Sequence, residues 1–207
     1  MTASPGDGTA PVPEGRGPSR GFSRAFLALG LPSAVRAALA CLRRRVKDSV
    51  ARVTWVAEPD YHLTLAFIGD LCEEKLSPLR AALGDAVSGC APFRFEVRGL
   101  GWFGPPRSPR VLWAGVSGPP PEMLVLAEAV RGALRRCALP VEDRPFRAHV
   151  TIGRVRSLCS ADALTSAWAS DKNAGFGDAV ADRILLMARA EAGAARYRVL
   201  HEAVLKG

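Results

Sequence analysis

From residue 24 onward, short apolar runs alternate with amphipathic stretches, and the period of each predicts an element. Residues 24–30 (RAFLALG) form a continuous apolar run closed by glycine, the pattern of a buried strand. Residues 32–47 place Val35, Ala38, Leu39, Leu42 and Val46 on one helical stripe. Residues 53–56 and 61–68 predict strands, separated by the turn-forming Glu58-Pro59-Asp60. A helix over 77–88 turns Leu79, Leu83 and Val87 inward, with Pro78 at its first position. Residues 93–100 alternate Phe93, Phe95 and Val97 with Arg94, Glu96 and Arg98, which predicts a strand with one wet face. After a loop at 103–109 come a strand at 110–116, a helix at 122–137 and a strand at 146–155. A short helix at 161–169 and strands at 182–188 and 197–205 follow. The course of strand, helix, strand, strand, helix, strand runs twice, which predicts an α+β fold of two related lobes, each an antiparallel sheet with outer helices, in a pseudo-twofold arrangement around a groove. Residues 1–21, rich in Pro and Gly without either period, read as a disordered tail, leaving 22–207 as a single bilobal domain.

Each half carries one copy of the same polar pattern. His62-Leu63-Thr64-Leu65 and His149-Val150-Thr151-Ile152 space a histidine and a threonine by one aliphatic residue. On a strand, alternate side chains share a face, so His and Thr go to one side while the aliphatic residues anchor the other. The chain has only three histidines, and two occupy this setting; the third, His201, lacks the threonine and reads as structural. Imidazole titrates near neutrality, so two facing histidines can be held one neutral and one protonated, a general base and a general acid at the same pH. Each Thr hydroxyl, about 6.5 to 7 Å along the strand from its His, can donate to an anion lying between the motifs. The set suits in-line displacement at phosphorus, with the threonines holding non-bridging oxygens as charge builds.

Composition narrows the setting. With 28 Lys and Arg against 20 Asp and Glu, the chain carries a formal charge of +8, which favours a polyanionic partner such as nucleic acid. No run of 18 apolar residues predicts a membrane span and no apolar leader is present, so a cytoplasmic location is expected. Five cysteines, without a C-x-x-C pair or a neighbouring His, read as reduced small hydrophobes rather than metal ligands. No metal or cofactor is therefore expected.

At these residues the chain resembles the two-histidine phosphoesterase superfamily, specifically the RNA 2′,3′-cyclic phosphodiesterases, also called 2′-5′ RNA ligases. The likeness extends through 24–32 (RAFLALGLP), 55–69 (WVAEPDYHLTLAFIG), 103–116 (FGPPRSPRVLWAGV) and 146–154 (FRAHVTIGR). The resemblance implies metal-independent hydrolysis of an RNA or nucleotide 2′,3′-cyclic phosphate end to a 2′-phosphate, possible reversal as 2′-5′ ligation, and a monomer. It implies His62 and His149 as the catalytic pair and Thr64, Thr151 and Arg154 as phosphate ligands. Strict alternation from His149 would put Arg154 on the wrong face, and Gly153 is the residue expected to supply a bulge that returns it. Phe26, Tyr61, Phe67, Trp102 and Trp113 are candidates for stacking on a base. Tyr197 falls one residue out of step with the family's Gly-x-x-Tyr. The rival readings are a phosphodiesterase of small cyclic nucleotides, such as ADP-ribose cyclic phosphate, and a non-catalytic RNA-binding module.

Overall fold

The computed structural model describes residues 21–46, 50–169, 173–191 and 196–207. Of residues 1–21, read above as a tail, 1–20 lie outside the described residues, as do 192–195 before Tyr197, while Gly21 is already the first residue of a strand that pairs with Cys72. Among the described residues no helix is long and apolar enough to cross a membrane.

The first lobe is built on β1 (Gly21–Leu29), whose apolar run from Ala25 to Leu29 is buried throughout. It lies between β3 (Leu63–Cys72) and β8 (Arg183–Arg189), with β9 (Tyr197–Val204) outside β8. The second lobe runs β6 (His149–Leu158), β5 (Val111–Val116), β4 (Phe93–Phe103) and β7 (Gly175–Ala181), and β2 (Ala51–Trp55) pairs with the other edge of β6. Every pairing is antiparallel. The two expected sheets meet at one register pair, Leu63 opposite Val150, and so join into one nine-stranded sheet. The motif strands are therefore the innermost strands of their lobes.

Two helices cover each lobe. α2 (Glu73–Val87) and α3 (Pro121–Arg136) pack on one another and on β3 and β9, while α1 (Ser33–Ala40) and α4 (Ala161–Ala169) lie on β7 and β4. α3 buries Met123, Leu126, Ala127, Val130, Ala133 and Leu134, a stripe of helical spacing.

The elements depart from expectation in four places. α1 stops at Ala40, and residues Cys41–Arg45 tighten into a 3-10 turn that still buries Leu42. α2 begins at Glu73, so Pro78 is internal rather than first; the two acidic residues of the first turn favour the earlier start. Pro78, the sixth helical residue, lies past the four N-terminal N–H groups that lack partners and so forfeits one bond of the helix. The second motif strand starts at His149, the segment before it having no regular structure. β7 was not expected: Gly175, Gly177 and Asp178 are poor strand formers, and this strand exists by pairing with β4 and burying Ala179 and Ala181.

Candidate active site

The pair that joins the lobes also assembles the motifs. Leu63 and Val150 are completely buried, so on alternation their neighbours His62, Thr64, His149 and Thr151 emerge on the opposite face, where all four are half-buried. Antiparallel register about Leu63 and Val150 sets His62 opposite Thr151 and Thr64 opposite His149. The result is a local twofold.

Each motif strand bulges at the same step. Against β1, Ala66 pairs with Leu27 and Thr64 with Ala28, leaving Leu65 extra. Against β5, Gly153 pairs with Leu112 and Thr151 with Trp113, leaving Ile152 extra. Leu65 and Ile152 both follow their histidine by three positions. One extra residue reverses the alternation beyond it, so the side chain five positions after each histidine returns to the histidine's face. Those side chains are Arg154 and Phe67, and both line the cleft. Gly153 serves the second bulge as the sequence suggested, for a reason the sequence hides. A Cβ there would stand 2.6 Å from Val53 Cγ1 and 3.0 Å from Trp55 Cε3, because these side chains of the neighbouring strand β2, where Trp55 is the register partner of Gly153, close over it.

The cleft encloses about 820 Å³ and takes in Thr64, His149, Thr151, Arg154 and Phe67. His62 is not among its lining residues; its ring stacks on Phe26 with centroids 4.6 Å apart and meets the edge of Tyr197 at 5.8 Å. His149 is held edge-on by Phe103 at 4.8 Å and by Trp113 at 6.5 Å.

Both imidazoles are oriented by the same local device. His62 Nδ1 lies 2.7 Å from the Asp60 carbonyl oxygen, and His149 Nδ1 lies 2.7 Å from that of Arg147. A carbonyl only accepts, so each Nδ1 carries a hydrogen and each Nε2 is the titrating nitrogen. Burial pushes both imidazoles below the ordinary value. At His62 the Asp60 carbonyl and carboxylate oppose that shift, while the His149 imidazole adds to it. At His149 the Arg147 carbonyl opposes it and the Arg147 and Arg154 guanidinium groups add to it. The position two before each histidine thus bears opposite charge in the two lobes. Asp60 is buried, and its Oδ1 accepts the Arg196 backbone N–H at 3.3 Å, which ties this turn to the start of β9 beside Tyr197.

The aromatic candidates divide. Phe67 is 47% exposed and lines the cleft. Tyr61 is buried, with its hydroxyl pushed up to about 12 by burial, and presents no face to a base. Phe26 is also buried, and one of its faces is occupied by His62, so it supports the imidazole rather than a ligand. Trp102 and Trp113 are half-buried outside the lining; the indole of Trp113 lies so close on Gly101 that a Cβ there would meet it. Sequence reasoning passed over Phe103, Asp60 and Arg147. The shared offset of Asp60 and Arg147 from the two histidines was the available signal.

Among the described residues, no group of three His, Cys, Asp or Glu is placed to hold a metal ion.

Comparison with known proteins agrees with this architecture. The family model described as LigT like phosphoesterase matches residues 29–113, which hold the first motif, β4 and the loop at 103–109. An RNA 2′,3′-cyclic phosphodiesterase of Geobacillus stearothermophilus is 36% identical over 135 residues, 64% of this chain but only 42% of that protein, so the match spans less than half of the relative's length. One from Thermotoga maritima is 34% identical over 133 residues, covering 64% of this chain and 70% of its own. The crystal structure of E. coli LigT complexed with 3′-AMP superposes with a TM-score of 0.72 at 27% identity, covering 90% of this chain and 99% of that one. Sharing its fold with these structures and a third of its sequence with a relative that it covers over 70% of its length, the chain belongs to the LigT-like phosphoesterase family.

Proposed function

We propose that the protein hydrolyses a 2′,3′-cyclic phosphate at an RNA end to a 2′-phosphate, using its own side chains as acid, base and anion donors. The observation that carries this reading is the single Leu63 and Val150 pair, which sets two His-x-Thr motifs against each other with both Nδ1 atoms already committed. His149 Nε2 takes a proton from water as the water oxygen bonds to phosphorus. The bond from phosphorus to O3′ breaks, and His62 Nε2 gives its proton to O3′. Thr64, Thr151 and Arg154 hold the non-bridging oxygens. The curated relatives' activity on RNA 2′,3′-cyclic phosphates supports the choice of substrate. Ligation is the same displacement reversed, with a 5′-hydroxyl in the place of water. The chain acts as a monomer in this reading, since every group invoked comes from one copy.

The charges around the two rings support this division of roles. His62 faces the Asp60 carboxylate, which favours its imidazolium, whereas His149 faces Arg147 and Arg154, which favour its neutral form. The acid must be protonated, so raising pH through the His62 value ends activity; the base must be neutral, so lowering pH through the His149 value ends it at the other limb. Because both values lie below that of ordinary imidazole, kcat/KM describes a bell whose optimum falls on the acid side of about 6.5. In Asp60→Asn the amide oxygen still accepts from Arg196, but the charge is gone, and the alkaline limb moves to lower pH. An unmoved alkaline limb in this variant would assign the acid elsewhere.

Turnover of a 2′,3′-cyclic-phosphate dinucleotide in excess EDTA tests the reading as a whole. Full activity is expected. Activity lost to the chelator and restored by one divalent ion would replace this mechanism with a metal-assisted one.

A further inference from the structure

The cleft holds more positive charge than its reaction needs. A cyclic phosphate is a diester with one negative charge, and Arg154 with a protonated His62 already exceeds it. Arg110 and Arg147 line the same cleft, and among the described residues neither guanidinium has a carboxylate partner. The other two arginines of the lining are accounted for. Arg131 is committed to the wall, donating to the Arg144 carbonyl at 3.0 Å and the Glu142 carbonyl at 2.7 Å, and Arg144 pairs with the Glu142 carboxylate at 3.4 Å.

Arg147 lies over the Phe103 ring, 5.5 Å from its centroid, and the Arg110 backbone N–H donates to the Phe103 carbonyl at 2.8 Å. Phe103 in turn meets the edge of His149. Arg147 therefore stands beside the reacting centre, and Arg110, tied to Phe103 by its backbone, lines the same cleft at the end of the 103–110 segment. A guanidinium without a carboxylate partner in an anion-binding cleft is free to donate fork-shaped hydrogen bonds to a bound phosphate.

We propose that Arg110 and Arg147 bind the phosphodiester that joins the terminal nucleotide to the one before it, so that the substrate is an RNA chain rather than a mononucleotide. The proposal rests on the cyclic phosphodiesterase reading and deepens it. It assigns the second negative charge that the cleft's balance requires.

The test compares three substrates with the same terminal nucleoside 2′,3′-cyclic phosphate: the mononucleotide, a dinucleotide, and a dinucleotide whose linkage is an uncharged methylphosphonate. The dinucleotide should exceed the mononucleotide in kcat/KM by about tenfold or more, the worth of a charge-assisted contact. The methylphosphonate should fall back to the mononucleotide level, and added salt should shrink the dinucleotide's advantage. Arg110→Gln should lose that advantage while hydrolysing the mononucleotide as wild type does. Equal rates on all three substrates with wild-type protein would overturn the subsite and leave the cyclic phosphodiesterase reading standing, as would an Arg110→Gln variant that keeps the full dinucleotide preference. Failure to open any of the three would overturn the underlying reading and the subsite with it.

Discussion

Alanine in place of His62 or His149 is expected to lower the rate of cyclic phosphate opening by roughly 10² to 10⁴, the usual worth of a positioned acid or base. The two variants should then part company. In His62→Ala the missing group is the donor to the departing oxygen, so a nitrophenyl phosphodiester, whose phenolate leaves without a proton, should recover much of the lost rate. In His149→Ala the missing group activates water, and a better leaving group does nothing for that step. Equal recovery in both variants would show that the roles are not divided as the flanking charges suggest. Full activity in either variant would remove the repeated motif from the chemistry. Neither substitution should unfold the chain, because both side chains are half-buried beside a core that Leu63 and Val150 hold.

Gly153→Val is expected to damage both stability and catalysis. The first carbon of any side chain at 153 meets Val53 Cγ1 at 2.6 Å and Trp55 Cε3 at 3.0 Å, so β2 must shift or β6 must straighten. Overpacking of this kind costs about 1 to 3 kcal/mol. Straightening the bulge would also turn Arg154 away from His149 and Thr151, removing one anion contact. Denaturant midpoints and kcat/KM of the folded variant measure the two effects separately. In a Gly153→Ala background, Val53→Ala should recover part of the lost stability, since it removes the nearest atom of the clash. A Gly153→Val variant with wild-type midpoint and wild-type kcat/KM would contradict the packing of the Val53 and Trp55 side chains on the bulge.

The shared face of each candidate pair was readable from the sequence because period two is a property of any strand. His62 and Thr64, like His149 and Thr151, share a face wherever their strands lie. The meeting of the two strands at Leu63 and Val150 is nonlocal, and only the duplication hinted at it. Gly153 announced its bulge, whereas the equivalent bulge at Leu65 has no glycine and no local signal, so Phe67 stood among five aromatic candidates with nothing to separate it. Periodicity likewise could not tell that Tyr61 and Phe26 face the core, since an aromatic residue at a strand position fits either side. The wall at 141–147 has no regular pattern and is held by Arg131 of the preceding helix α3 through side-chain to backbone bonds, which periodicity does not report. β7 was missed for the reverse reason: its composition argues against a strand, and pairing with β4 overrides it. Local periodicity thus located the chemistry, and tertiary contacts decided its surroundings.

Phosphorus NMR of the product formed from a 2′,3′-cyclic-phosphate dinucleotide most directly tests whether the two histidines act as one acid and base pair on this ester. A single 2′-phosphate product is expected, because the proposed mechanism assigns His62 to the departing 3′ oxygen of an in-line displacement. A 3′-phosphate, a mixture of the two, or substrate that persists unchanged would contradict it.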